Sequence, residues 1–74
     1  MQKDKLIYFG SEGCTQCRAI KNELTSLDYV DYGNDYESYN ISVLPTLVLT
    51  RNGQEVKRLT GFHTKEQILE WLSN

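Results

Sequence analysis

Cys14 and Cys17, the two cysteines of the chain, lie three positions apart in the segment GSEGCTQCRAI, residues 10–20. A Cys-x-x-Cys pair can serve as a structural disulfide, as part of a metal site or as a redox couple. A structural disulfide is poorly placed here, because in the chain-entropy treatment so short a loop contributes only about 2 kcal/mol. The spacing therefore leaves redox chemistry and metal binding as the two interpretations to be weighed.

The residues around the pair predict a buried strand that leads directly into a helix. Residues 5–9 are mostly apolar and aromatic, and the glycine-rich segment 10–13 ends them. Apolar side chains then recur at positions 17, 20, 24 and 27, which predicts one face of a helix over residues 15–27. Cys14 is thus expected immediately before the first helical turn.

This position predicts different properties for the two thiols. The first turn of a helix has unpaired N–H groups and a positive dipole end, which can lower a cysteine pKa from about 8.5 to between about 3.5 and 7.5. Arg18 is expected to add positive charge nearby, and Cys17, one turn further along, should be less exposed. In a redox couple, Cys14 would then attack a substrate disulfide and Cys17 would resolve the mixed disulfide.

The rest of the chain continues the alternation of strands and helices. Residues 28–33 predict a strand, 35–40 a turn or brief helix, and 46–50 a strand covered on both faces. The Asn-Gly pair within residues 51–54 predicts a two-residue hairpin, so residues 55–60 should form an antiparallel edge strand, with a bulge allowed.

A last helix is predicted after the hairpin. Thr64 and Gln67 have the spacing of a capping box, and the residues after them give the helix its apolar face: Ile68, Leu69, Trp71 and Leu72. The order strand, helix, strand, short segment, hairpin, helix indicates a single α/β domain over residues 1–74.

Composition narrows the possible partners. The formal net charge of the 74 residues is -2, and no basic patch or stripe is visible, so no nucleic-acid partner is expected. No basic segment followed by an apolar stretch opens the chain, and no run of eighteen apolar residues occurs. We therefore expect a cytoplasmic protein without a membrane partner, in a reducing compartment where paired thiols are more often reactive than structural.

Three segments together resemble the thioredoxin family. IYFGSEGCTQC, residues 7–17, resembles its active strand and Cys-x-x-Cys turn; YNISVLPT, residues 39–46, resembles the segment with its cis-proline; residues 46–61 resemble its hairpin and following glycine. The resemblance covers most of the chain, with a shortened middle and without the strand and helix that open a full-length thioredoxin. It implies a minimal thioredoxin fold, with a central mixed four-stranded sheet and helices on both faces.

The resemblance also implies a set of site residues. The Leu44–Pro45 peptide is expected to be cis and to face the cysteine pair, with the backbone of Leu44 free to pair with an incoming peptide. Tyr8 is a supporting residue, because it stands where thioredoxins have a buried aspartate that assists the second cysteine. The residues expected to border the substrate groove are Leu44, Pro45, Thr46, Gly61 and Phe62.

The implied activity is that of a dithiol–disulfide oxidoreductase that reduces protein disulfides as a monomer. Exchange between sulfurs requires no bound cofactor and no metal, but it requires a recycling reductant, either a thioredoxin reductase-like flavoenzyme or glutathione.

The main alternative is a carrier that holds a soft metal ion such as Cu(I) through Cys14 and Cys17. Such carriers end on a strand, whereas the sequence predicts a final helix. Zinc normally needs four ligands, and His63 is the single histidine. A thioredoxin-shaped scaffold without exchange activity is a further alternative.

Overall fold

Strands and helices follow one another in the order that the sequence predicts. The computed structural model describes residues 4–74. The elements are β1 (Asp4–Phe9), α1 (Thr15–Leu24), β2 (Val30–Gly33), a 3-10 helix (Tyr36–Tyr39), β3 (Thr46–Arg51), β4 (Gln54–Thr60) and α2 (Lys65–Ser73).

The four strands form one mixed sheet in the order β2-β1-β3-β4. β1 runs parallel to β2 and antiparallel to β3, and β3 and β4 form the predicted hairpin with a register shift after Leu49. Asn52 and Gly53, at the tip of the hairpin, have φ values of 55° and 84°, the left-handed conformations that a type I′ turn requires. The mixed sheet, the hairpin and the bulged edge strand are thus confirmed.

The two faces of the sheet are covered differently. Side chains of α1 and α2 pack on the face that carries Leu6, Tyr8 and Leu47. The other face carries Ile7, Phe9 and Val48 and is covered by tyrosines in and near the 3-10 helix, together with Ile41. Both α-helices therefore pack on one face of the sheet. The sequence-based expectation was helices on both faces, and the helix on the second face is only the short 3-10 helix.

Two details differ from the sequence-based expectations. α1 ends at Leu24, so Leu27 lies beyond the helix, although it still packs against the core. Leu69 is 43 % exposed because Ile68, with Trp71 and Leu72 three and four residues later, already forms the stripe that faces the core. Within residues 4–74, neither helix has the length and apolar character needed to cross a bilayer.

Candidate active site

Strand ends bring the predicted site segments to one edge of the sheet. The last residue of β1 pairs with Thr46, the first residue of β3, and Thr46 pairs in turn with Thr60, the last residue of β4. The loop that carries the cysteines, the segment before Thr46 and the glycine after Thr60 therefore lie together. The N–H of Gly61 donates a hydrogen bond to the carbonyl of Pro45 at 2.8 Å and ties two of these segments to each other.

Cys14 and Cys17 are joined in a disulfide, with their Cα atoms 5.1 Å apart. Cys14 is the N-cap of α1 and is partly exposed, whereas Cys17 lies inside the first turn and is completely buried. The order of exposure is the one that the sequence predicts. An attacking partner can therefore reach the sulfur of Cys14 more readily than that of Cys17.

The sulfur of Cys14 occupies the position that a capping oxygen has in most helices. Its Sγ accepts a hydrogen bond from the N–H of Cys17 at 3.1 Å, at the positive end of the α1 dipole. When the disulfide opens, the same amide and the same dipole favour a thiolate on Cys14, because both interact more strongly with an anion than with a neutral sulfur.

Arg18 braces the loop in front of the cysteines. Its guanidinium donates a hydrogen bond to the carbonyl of Glu12 at 2.7 Å, while its backbone N–H donates to the carbonyl of Cys14 at 3.2 Å. The sequence predicts Arg18 as a positive charge near Cys14. The structure shows in addition that its side chain holds the turn that presents Cys14.

Gly10 holds the loop in place through two hydrogen bonds of its backbone, a role that the sequence analysis did not predict. Its N–H donates to the carbonyl of Gly33 at 3.0 Å, and its carbonyl accepts the hydroxyl of Tyr36 at 2.9 Å. No local pattern reveals this anchor, because its partners come from β2 and from the 3-10 helix. The tyrosine face of the sheet thus supports the loop that carries the disulfide.

Tyr8 lies beneath the disulfide, with only 3 % of its surface exposed. Its hydroxyl donates a hydrogen bond to the carbonyl of Cys17 at 3.4 Å. The Nζ of Lys21 lies 5.4 Å from the centre of the Tyr8 ring and 2.9 Å from a carboxylate oxygen of Asp31. Burial raises the pKa of the Tyr8 phenol above its ordinary value, and the nearby Lys21 charge only partly opposes this. The phenol is therefore neutral at physiological pH.

The proline segment has the predicted backbone, and its side chains divide into buried and exposed ones. The Leu44–Pro45 peptide is cis. Pro45 is buried and Leu44 is partly buried against the core. Thr46 was expected to border the groove, but it is only 1 % exposed. Its hydroxyl donates a hydrogen bond to the carbonyl of Val43, so its side chain is buried beneath the segment that precedes Pro45.

Two apolar side chains are exposed in the segments on either side of the proline and the glycine. Val43, two residues before Pro45, is 50 % exposed, and Phe62, directly after Gly61, is 41 % exposed. Phe62 is among the residues predicted to border the groove, and Val43 is not.

The metal-carrier alternative finds no support in this arrangement. The element that follows the hairpin is α2, whereas the alternative predicts a strand there. Across residues 4–74, no group of three or more His, Cys, Asp or Glu side chains is arranged to hold a metal ion.

Known proteins match the chain in sequence and in structure. The family model described as Thioredoxin matches residues 24–74. Thioredoxin from Rickettsia bellii is 30% identical over 82 residues, which cover 93% of this chain and 78% of the relative. Thioredoxin from Chlamydia pneumoniae is 33% identical over 73 residues, 82% of this chain and 72% of the relative.

The fold comparison agrees. Thioredoxin f2 from Chlamydomonas reinhardtii superposes with a TM-score of 0.84 and 22% identity, over 99% of this chain and 79% of that structure. At this identity the superposition shows the fold alone. The family model begins after the cysteine pair, whereas the match to the Rickettsia bellii relative covers 93% of the chain. The chain belongs to the thioredoxin family and is a thiol–disulfide oxidoreductase that acts on protein disulfides.

Proposed function

We propose that Cys14 is the attacking thiolate and Cys17 the resolving thiol of a dithiol reductant. The observation that carries this assignment is the hydrogen bond from the N–H of Cys17 to the Sγ of Cys14 at the amino end of α1. It supports an anion on Cys14, while the complete burial of Cys17 favours an internal role for the second sulfur.

The reaction consists of two exchanges between sulfurs. The Cys14 thiolate attacks one sulfur of a substrate disulfide, a mixed disulfide forms, and the other substrate sulfur leaves as a thiolate. Cys17 then loses its proton and attacks the Sγ of Cys14, so that the internal disulfide forms and the second substrate sulfur leaves. Because Cys17 is held one helical turn away, this step has a high effective concentration.

An extended substrate peptide is proposed to lie along the edge formed by Leu44, Pro45, Gly61 and Phe62, with the Leu44 backbone pairing as in strand addition. Two observations support this placement. The exposed side chains of Val43 and Phe62 offer apolar contacts, and the Gly61–Pro45 hydrogen bond joins the two segments on which they stand. Thr46 contributes from below by holding the carbonyl of Val43.

We also propose the direction of the exchange reaction, the electron donor and the cellular compartment. We assign reduction of protein disulfides in a reducing cytoplasm, because both cysteines belong to the exchange motif and none is used as a separate staple. Recycling requires a thioredoxin reductase-like flavoenzyme or glutathione. One chain carries both the attacking and the resolving sulfur, so a monomer is sufficient for the proposed reaction.

The test is a pair of matched serine variants incubated with a protein disulfide such as insulin. Cys17→Ser is expected to accumulate a mixed disulfide through Cys14, visible by mass spectrometry as an adduct that dithiothreitol removes. Cys14→Ser should form no such adduct, because the remaining thiol is buried. Turnover of Cys17→Ser at the parental rate would refute the two-thiol assignment.

A further inference from the structure

Cys17 must become an anion in surroundings that oppose charge. Its side chain is completely buried in a cluster with Ile20, Leu24 and Leu47. Burial among apolar groups favours the neutral thiol, because a thiolate there has lost its hydration. The resolving step therefore needs a polar partner for the sulfur and an exit for its proton.

The hydroxyl of Tyr8 lies directly beside Cys17. It donates to the Cys17 carbonyl at 3.4 Å, which is long for an O–H···O hydrogen bond. Gly10 lets the two side chains meet: a Cβ on Gly10 would lie 2.6 Å from Cζ of Tyr8 and 3.1 Å from Cβ of Cys17, and it would clash with the hydroxyl. The phenol oxygen and the Cys17 side chain thus border the same narrow space.

Tyr8 and Gly10, which border this space, also line an open cavity of about 310 Å³. The charged residues that line this cavity are Glu12, Arg18, Lys21 and Asp31. Since a water molecule occupies about 30 Å³, the cavity is large enough for several waters with polar partners. Lys21 is held at the Tyr8 ring by its ion pair with Asp31.

We propose that the Tyr8 hydroxyl donates a hydrogen bond to the Cys17 thiolate during resolution and that the thiol proton leaves through this cavity. The S–H bond of Cys17 breaks and its proton passes to cavity water. The electron pair forms the bond to Sγ of Cys14, and the substrate sulfur leaves as a thiolate and is protonated by solvent. Tyr8 keeps its own proton throughout, and the inference rests on the role proposed above for Cys17.

The charges around Tyr8 are consistent with a donor that stays neutral. Burial is the main cause of the raised pKa of its phenol; Lys21 lowers that pKa, while Asp31, Tyr29 and Tyr36 raise it. Lys21 and Arg18 bring positive charge to the cavity from α1, and Glu12 and Asp31 bring negative charge from the loop and from β2.

The experiment separates the two exchanges with an aromatic disulfide reagent that releases one coloured thiol in each step. The first release depends on reagent concentration and reports Cys14; the second is first order and reports Cys17. Tyr8→Phe should leave the first rate unchanged and slow the second about tenfold or more near pH 7, the typical effect of losing a hydrogen bond to a charged group. The pH midpoint of the second step should rise by about one.

Tyr29→Phe is the matched control. The Tyr29 and Tyr8 rings pack edge-on with their centroids 6.2 Å apart. Tyr29 does not line the cavity. Parental rates are expected for this control. An unchanged second step in Tyr8→Phe would overturn the proposal, and so would an equal loss in Tyr29→Phe, which would indicate packing. Absence of any first-order release in the parent would instead refute the proposed function.

A second measurement covers the case in which Tyr8→Phe does not fold. The parent protein is labelled with ¹³C at the tyrosine Cζ, and its NMR chemical shifts are followed against pH. In the reduced protein, the Tyr8 signal should shift as Cys17 ionises. In the oxidised protein, the Tyr8 signal should show no shift in this pH range. A reduced-state Tyr8 signal that does not respond to the ionisation of Cys17 would overturn the proposal.

Discussion

The amino ends of the two α-helices are built from the same kind of backbone and are capped in opposite ways. At the start of α2, Thr64 and Gln67 satisfy each other in a capping box, and the N–H of Lys65 donates to a carboxylate oxygen of Glu23 at 2.7 Å. At the start of α1, the capping acceptor is the sulfur of Cys14. Oxygen acceptors stabilise the fold at one end, while a weaker sulfur acceptor occupies the other.

The first turns of the two helices also differ in charge. α2 has Glu66 in its first turn and Glu23 in contact, so negative charge already balances its positive dipole end. The first turn of α1 contains no acidic residue. Its positive end therefore remains available, and its full stabilising effect appears only when Cys14 becomes a thiolate. One helix end contributes stability and the other contributes reactivity.

The largest effect should come from Cys14→Ser, which exchanges the sulfur for a preferred capping oxygen. Disulfide exchange should be abolished, because no nucleophilic sulfur remains at the exposed position. Under reducing conditions, the free energy of unfolding should stay within about 1 kcal/mol of the reduced parent. Insulin reduction and urea unfolding in dithiothreitol check the two statements. A loss of more than about 2 kcal/mol would contradict the view that this cap serves chemistry more than stability.

Thr64→Ala should show the reverse pattern. Loss of the capping hydroxyl should lower the free energy of unfolding by about 1 kcal/mol and the melting temperature by about 4–8 °C for a domain of this size. The alkylation rate of Cys14 in the reduced protein should not change, because the altered cap belongs to the other helix. A slower alkylation at 25 °C would show that the two helix ends are not independent. Thermal unfolding measures the change in stability, and the rate of reaction with iodoacetamide measures the reactivity of Cys14.

Local signals explain which parts of this picture could be predicted from the sequence. The Asn52–Gly53 turn, the Thr64 capping box and the position of Cys14 before a helix all depend on residues within one turn of each other. Such patterns fix backbone conformation before any tertiary contact forms. Their predictions are accordingly confirmed in the structure.

Contacts between distant residues explain what could not be predicted. The hydroxyl of Tyr36 reaches the Gly10 carbonyl 26 positions away, and the Lys21–Asp31 pair joins a helix to a strand. Thr46 was expected at the groove, but the central place of β3 in the sheet buries its side chain. These placements follow from strand register and packing, which apolar periodicity alone does not specify.

The smallest and most specific effect should come from charge at Gln16, an exposed residue in the first turn of α1. Gln16→Glu places a carboxylate at the positive helix end, an interaction of about 0.3–1 kcal/mol. The fold should gain stability by that amount, while the pKa of the Cys14 thiol should rise by about 0.2–0.7, because the new charge opposes a thiolate.

Gln16→Lys is the matched control and should shift both quantities in the opposite direction. The pH dependence of Cys14 alkylation gives the thiol pKa, and urea unfolding of the reduced protein gives the stability. Added salt should shrink both differences, since exposed charges are screened over about 8–10 Å. If Gln16→Glu raised stability without raising the thiol pKa, the sulfur would not be sensing the helix end, and the contrast between the two caps would rest on exposure alone.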